Sequence, residues 1–291
     1  MKKRIFATVI IALFLLVHVQ GQLLWKVSEN GLPKACYLFG THHLIGREQI
    51  KGFDKMLALC GQQEAVVGEI DATDMTSIQA KIMQRAVMHG KNIKELMLAE
   101  DYTLVDTELK QLLGVGLDQL GTMKPMVLQT MYVGLVYLRS QNLEKQPEAI
   151  DVLFEKIARE NNKPVIGLET VEQQAAIIFD SLSVERQAEI LVKSVKEKQK
   201  GIGLLKRLNV CYLAGDLKGL SELDKEDEDM TPAEKKRMYD NRNADWLKQL
   251  PGILHKQSCF VAVGCMHLAG ESGLINQLRK AGYTLEAVTD L

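Results

Sequence analysis

The chain is poor in the features that mark several common functional classes. Aromatic residues make up only 5% of its 291 positions, and no basic patch interleaves with them. Charge of neither sign is in excess: 36 Lys and Arg stand against 37 Asp and Glu, a net of −1. Nucleic acid and anionic membranes are therefore not expected partners. The five cysteines (Cys36, Cys60, Cys211, Cys259, Cys265) are odd in number, widely spaced and without a CxxC pair, which excludes a disulfide scaffold and a structural zinc site. HExxH, GxSxG, P-loop and Rossmann fingerprints are also missing, so zincin, α/β-hydrolase and nucleotide-binding readings lack support. Past the N-terminus no apolar run is long enough to span a bilayer.

The N-terminus itself has the layout of a secretory signal peptide. Lys2, Lys3 and Arg4 precede the uncharged run Ile5 to Val17, and Val19 and Gly21 supply small residues for cleavage after Gly21. The run is shorter than the roughly 20 residues of a spanning helix. Residues 1–21 are thus expected to be removed, leaving residues 22–291 as one exported domain, periplasmic or extracellular. At 46% hydrophobic and 25% charged, that chain suits a packed core.

Hydrophobic periodicity switches repeatedly along it. Strands are expected at "LLWKV" (23–27), "CYLFGTH" (36–42), "EAVVGEID" (64–71), "KPVIGLET" (163–170), "CFVAVGCMH" and "YTLEAVT". The "KPVIGLET" segment reads as buried. Helical spacing marks "QIKGFDKMLALCGQQ", most of residues 74–142 with breaks at Gly90, Gly114, Gly116 and Gly121, "AIDVLFEKIARENN" and "SGLINQLRKAG". The acidic "ELDKEDEDM" reads as a solvated loop, ended by a capping box at Thr231 and Glu234 that starts a helix through "KKRMYDNRNADWLKQL". The expected class is α/β (α+β): a central mixed sheet flanked by helices, with a large helical insertion in the middle of the chain. That Met- and Leu-rich middle is expected to be ordinary helix–helix core, part of it covering the strand ends like a lid. Cys36 and Cys259, at strand starts, are expected as buried small thiols.

Polar residues sit at telling places. Four apolar strands deliver His or Glu at their C-terminal ends: His42 and His43, Glu69, Glu169, and His267. In an open sheet with helical crossovers, the crevice beyond those ends is the usual ligand site. Side chains alternate along a strand, so only one of His42 and His43 can lean into it. The spacing G-x-x-H selects His43, from Gly40, as counterpart of His267, from Gly264. The glycines allow a close backbone approach before each histidine. His89 and His255 need no role beyond surface or capping.

Together "LLWKVSENGLPKACYLFGTHHL", "VVGEID", "AIDVLFEKIARENNKPVIGLETVEQQ", "RNADWL" and "FVAVGCMHLAGESGLINQLRKAGYTL" resemble the TraB/GumN family, which includes the Tiki proteases and the bacterial pheromone-shutdown proteins. The resemblance covers essentially the whole mature chain. It implies an exported α/β domain whose paired GxxH motifs and a glutamate form a site, with metal-dependent peptide cleavage in the Tiki branch. The motif residues fall on Gly40, His43, Glu69, Glu169, Arg242, Asn243, Gly264 and His267. His42 departs from the pattern, which commonly has another residue there.

The chemistry agrees with that implication. Neutral imidazoles of His43 and His267, with Glu69, suit a divalent ion of the Zn, Mn or Co class. Such an ion would lower the pKa of bound water and polarise a carbonyl, while Glu69 or Glu169 moves the proton. Arg242, with Asn243 and the close-approach glycines Gly40 and Gly264, would hold the substrate or its developing oxyanion. The expected function is a metal-dependent hydrolase, with peptide the first substrate class. The alternatives are a protein that captures a peptide without cutting it, and a hydrolase of non-peptide esters or amides.

Overall fold

The computed structural model describes residues 22–289; the signal segment expected at residues 1–21 lies outside them. Strand β1 (Leu24–Ser28) leads into β2 (Cys36–Thr41), and α1 (Phe53–Gln62) leads into β3 (Ala65–Gly68). Then come α2 (Met75–Arg85), α3 (Ala99–Leu113), α4 (Leu117–Leu120), α5 (Pro125–Ser140), α6 (Ile150–Glu160) and β4 (Val165–Gly167). After β4 the chain forms α7 (Val171–Asp180), α8 (Val184–Lys196), α9 (Lys198–Leu213), α10 (Leu217–Glu226) and α11 (Pro232–Lys235). A π-helical turn, Lys236–Asp240, passes into α12 (Asn241–Leu254), and β5 (Cys259–Gly264), α13 (Leu274–Lys280) and β6 (Thr284–Ala287) follow.

The strands make one mixed sheet in the order β4-β3-β5-β2-β1-β6. Strands β4, β3, β5 and β2 run parallel, and β1 is antiparallel to both β2 and β6. This is the α/β architecture expected from the period switching. The register pairs Thr41 with Gly264, and Gly68 with both Ala262 and Gly167, so all four parallel strands end at one edge of the sheet.

Pleat alternation sorts the strand residues onto two faces. Phe39, Val66 and Phe260 pack with α1 and α6 through Phe53, Met56, Leu153 and Phe154. Leu38, Val67 and Val261 pack with α12 and α13 through Trp246, Leu250, Leu274 and Leu278. A third cluster, centred on Leu109, Leu128, Tyr132 and Leu191, joins α3 and α5 to α8 away from the sheet.

Two expectations change. Strand β4 is half-buried rather than buried, because it is an edge strand with a partner on one side only. The acidic "ELDKEDEDM" is not all loop: α10 continues to Glu226, anchored by buried Leu220 and Leu223 and by a fork from Arg207 to Glu226 at 2.7 and 3.1 Å. Only 227–230 remain non-helical, ending at the capping box of Thr231 and Glu234. All five cysteines are free thiols, and Cys36 and Cys259 are fully buried. No helix among the described residues is long and apolar enough to cross a membrane.

Candidate functional site

Three parallel strands and one helix converge on a single guanidinium. Helix α12 buries Arg242, Asn243, Trp246, Leu250 and Leu254, a stripe at helical spacing whose first turn reaches the strand ends. The π-turn just before it, closed by Asn241 N–H on Lys236 carbonyl, sets the phase in which that turn arrives. Arg242 Nη2 donates to Glu69 Oε2 and to Glu169 Oε1, both at 2.5 Å, and Nε donates to Glu169 Oε2 at 3.1 Å. Nη1 donates to His267 Nε2 at 3.0 Å and to the Met238 carbonyl at 3.4 Å. A guanidinium has five N–H donors, so Arg242 has none to spare.

The geometry fixes the imidazole tautomer. Arginine can only donate, so His267 Nε2 accepts and Nδ1 carries the proton, donated to Asn243 Oδ1 at 2.7 Å. Asn243 Nδ2 is in turn spent on the carbonyls of His267 and Ser272. Burial is the main reason the His267 pKa falls to about 4; Arg242 adds to the effect and Glu69 opposes it. The ring packs 4.4 Å from Trp246 and edge-on to Tyr239. At neutral pH it is an uncharged base with its lone pair aimed at Arg242.

Glu69 is the most open member, with 18% of its side chain exposed against 7% for Glu169 and 7% for Arg242. Its Oε1 accepts from Gly264 N–H at 2.8 Å. Burial pushes its carboxyl up, yet His267, Arg242 and that N–H together outweigh burial and hold it below the usual range. Gln174 on α7 bridges the carboxylates, donating to Glu69 and Glu169 at 3.0 Å each. Beside this group a cleft of about 700 Å³ opens between α7 and α12, with Glu169, Gln173, Arg242, Trp246 and Gln249 in its walls.

The GxxH glycines have steric reasons. A Cβ on Gly40 would lie 2.7 Å from Leu268 Cδ1 and 3.1 Å from Cys265, so β2 could not sit against the turn carrying His267. A Cβ on Gly264 would stand 3.1 Å from Glu69 Oε1.

The structure therefore brings Glu69, Glu169, Arg242, Asn243, Gly264 and His267 together. It does not join His43 to them. The side chain of His43 is 60% exposed, with Nδ1 3.6 Å from Asp151 Oδ1, and no hydrogen bond or ion pair links it to Glu69 or His267. Asp151, with Glu69 further off, raises its pKa. His42 turns the other way, buried edge-on against Tyr212, its Nδ1 accepting from Leu44 N–H and its Nε2 without a partner. Gln174, Trp246, Tyr239 and Asp151 were not foreseen. The signal for Trp246 was there, four residues beyond Arg242 on the same helical face; Gln174 and Asp151 carried none.

Among the described residues no three His, Cys, Asp or Glu side chains converge as a ready-made metal site. In kind, and pairwise, the donors fit a divalent ion nonetheless: Glu69 Oε1 lies 3.9 Å from His267 Nε2. Asn243 fixes the far ring nitrogen, as the outer partner of a ligating histidine does. Both donors are already engaged, Glu69 Oε1 by the Gly264 N–H and His267 Nε2 by Arg242.

No curated protein and no solved structure matches the chain. The model of the TraB/PrgY/gumN family does match, over residues 23–287. That match spans nearly the whole sequence, including every residue of the cluster around Arg242, and the chain belongs to the TraB/PrgY/gumN family.

Proposed function

We propose that the chain is an exported hydrolase, acting first on peptide bonds and otherwise on related amides or esters. The observation that carries this reading is the convergence of two carboxylates, a neutral imidazole and an arginine where β3, β4 and β5 end, beside an open cleft. Sequestration of a peptide alone would not call for that set.

Glu69 is the base: it is held ionised, is the most exposed member, and is oriented by the Gly264 N–H. Glu169 holds Arg242 through a two-pronged fork and is thereby kept from the reaction. Arg242, at the cleft wall, offers positive charge to a developing oxyanion once one of its donors is released. A divalent ion of the Zn, Mn or Co class, held by His267 and Glu69, would polarise the scissile carbonyl and acidify water.

The test is metal content of the purified protein, followed by a peptide-library digest with and without chelator. Cleavage that disappears with chelator and returns with the ion is the expected result. A second reading has its own support: every donor of Arg242 is satisfied and His267 is 3% exposed, so the cluster is complete without a substrate. A capture protein would use the same cleft and return the peptides intact and bound.

A further inference from the structure

The sheet has two edges, and they are finished differently. At β6 the Val288 N–H donates to the Leu24 carbonyl, so alternation turns Leu285 outward, where its carbonyl accepts from Arg279 Nη2 at 2.9 Å. At β4 the Val66 N–H donates to the Pro164 carbonyl at 3.0 Å, and the Leu168 N–H donates to the Gly68 carbonyl at 2.9 Å. Val165 and Gly167 therefore turn their N–H and C=O groups away from β3, to the side that has no strand. The groups around them are engaged: Lys163 N–H by the Ala158 carbonyl, the Leu168 carbonyl by Gln249, and Thr170 N–H by Gln173 Oε1. Among the described residues nothing bonds to the outward groups of Val165 and Gly167. Both residues are half-buried rather than sealed. Folded proteins usually cover, charge or cap such an edge. Here one edge is capped by an arginine, and the edge beside the reactive cluster is left open.

The cleft between α7 and α12 begins at this edge. Gly167, Leu168 and Glu169 line one end of it, Ala176 and Ile177 stand on α7, and Arg242 is in the α12 wall. From this we infer that the site takes an extended peptide, which pairs with the open edge of β4 as a seventh strand. Only a second extended backbone offers N–H and C=O groups at the two-residue repeat of Val165 and Gly167. A small ester or amide has no such repeat. Main-chain pairing makes the recognition tolerant of sequence, and alternate side chains go to opposite faces of the sheet. Ile166 and Leu168 lie on the α12 face, so every second peptide side chain enters the cleft against Ala176 and Ile177. The strand runs on to Glu169, which holds Arg242, and so brings the peptide beside the reactive cluster. The inference rests on the hydrolase reading for the fate of the peptide and narrows its substrate class. Pairing at the edge stands without it.

The probe is a fluorescein-labelled Ala-Val-Ala-Val-Ala-Lys peptide, titrated into the purified protein with chelator present, which under the hydrolase reading keeps the peptide whole. Anisotropy should show saturable binding below about 1 mM. A series of the same peptide carries one backbone N-methyl group each. Affinity should fall by about fivefold or more at every second position and little between, since alternate N–H groups face β4. Amide exchange at Val165 and Gly167, followed by NMR, should slow when the unmethylated peptide is added. Ile166 and Leu168, already bonded to β3, should not change. Val165→Pro removes one outward donor and no ladder bond, a change that an edge strand tolerates. It should weaken the peptide by about fivefold while the melting temperature stays close to that of the unaltered chain.

Absence of saturation, an even loss along the N-methyl series, or unchanged exchange at Val165 and Gly167 overturns the pairing. Slow exchange at both amides before peptide is added also overturns it, because a second copy of the chain or a covering segment then holds the edge. If Val165→Pro does not fold, the N-methyl series and the exchange measurement need no variant. The outcomes are distinct from those of the digest. The alternating pattern with uncut peptides removes the hydrolase reading alone, and cleavage without the pattern removes the edge alone.

Discussion

At the scale of single residues, Glu69 and Glu169 carry the same group and do different things because of what holds them. Glu69→Gln keeps an oxygen for the Gly264 N–H, so the fold should survive while turnover falls by roughly 10²–10⁴-fold, the usual share of acid–base catalysis. Glu169→Gln strips the charged half of the fork from an arginine only 7% exposed, and should lower stability by about 3 kcal/mol. Thermal melts beside the digest separate the two. Acid sensitivity follows from the buried imidazoles. His267 and His42 both have folded-state pKa values lowered to about 4, mainly by burial. Between about pH 6.5 and 4 the unfolded chain takes up protons that the folded chain refuses, so stability falls as pH falls through that window. Each ring contributes on the order of 3 kcal/mol to that loss by pH 4. Glu155 has the opposite sign. Burial raises its pKa to about 7, against the Ala72 N–H it accepts. Above the ordinary carboxylate range the unfolded chain loses that proton first, and stability falls as pH rises toward 7. Glu155→Gln should therefore gain stability at pH 8 relative to pH 4.5, which melts at the two pH values would show.

At the scale of elements, the site depends on how strands and helices meet. Gly264→Ala would press on Glu69 Oε1 from 3.1 Å, a distance that a small shift of the carboxylate relieves. Activity should fall more than stability. Gly40→Ala meets Leu268 and Cys265 in a packed turn, and should lower stability by about 1–3 kcal/mol while displacing His267. The π-turn Lys236–Asp240 is the other element-level device. Inserting one Ala after the exposed Arg237 would rotate Arg242 by about 100° relative to what precedes it, one residue of a 3.6-residue turn. The expected outcome is a folded chain without turnover; retained activity would show that the phase of α12 is incidental. The strand ends were legible because apolar runs stopping at His or Glu are a local pattern. Which of His42 and His43 faces which way was not: β2 stops at Thr41, and the alternation that sorts side chains stops with it.

At the scale of the molecule, the sheet and the distal helices have separate hydrophobic clusters. Leu191 is fully buried in the third cluster, among α3, α5 and α8. Leu191→Ala should lower stability by about 2–5 kcal/mol. Hydrogen exchange should then quicken in α3, α5 and α8 before it does in β2, β3 and β5, since the two sides of the sheet keep their own packing. Uniform quickening would mean one cooperative unit. The same measurement with peptide bound tests the lid role of the helical middle, which requires protection to rise there.

The sequence by itself determined the elements, because the spacing of apolar side chains along the chain selects strand or helix locally. It also determined which residues stand where strands end, and the Thr231–Glu234 cap, whose partners lie three residues apart. Tertiary structure alone decided that β5 inserts between β3 and β2, which is what sets His267 beside Glu69. It decided as well that Arg242 would be saturated, since its partners Glu169 and Glu69 lie 73 and 173 positions away in sequence. Periodicity carries no information about contacts at such separations. They exist only when the sheet order, the phase of α12 and the burial of both carboxylates are satisfied at once.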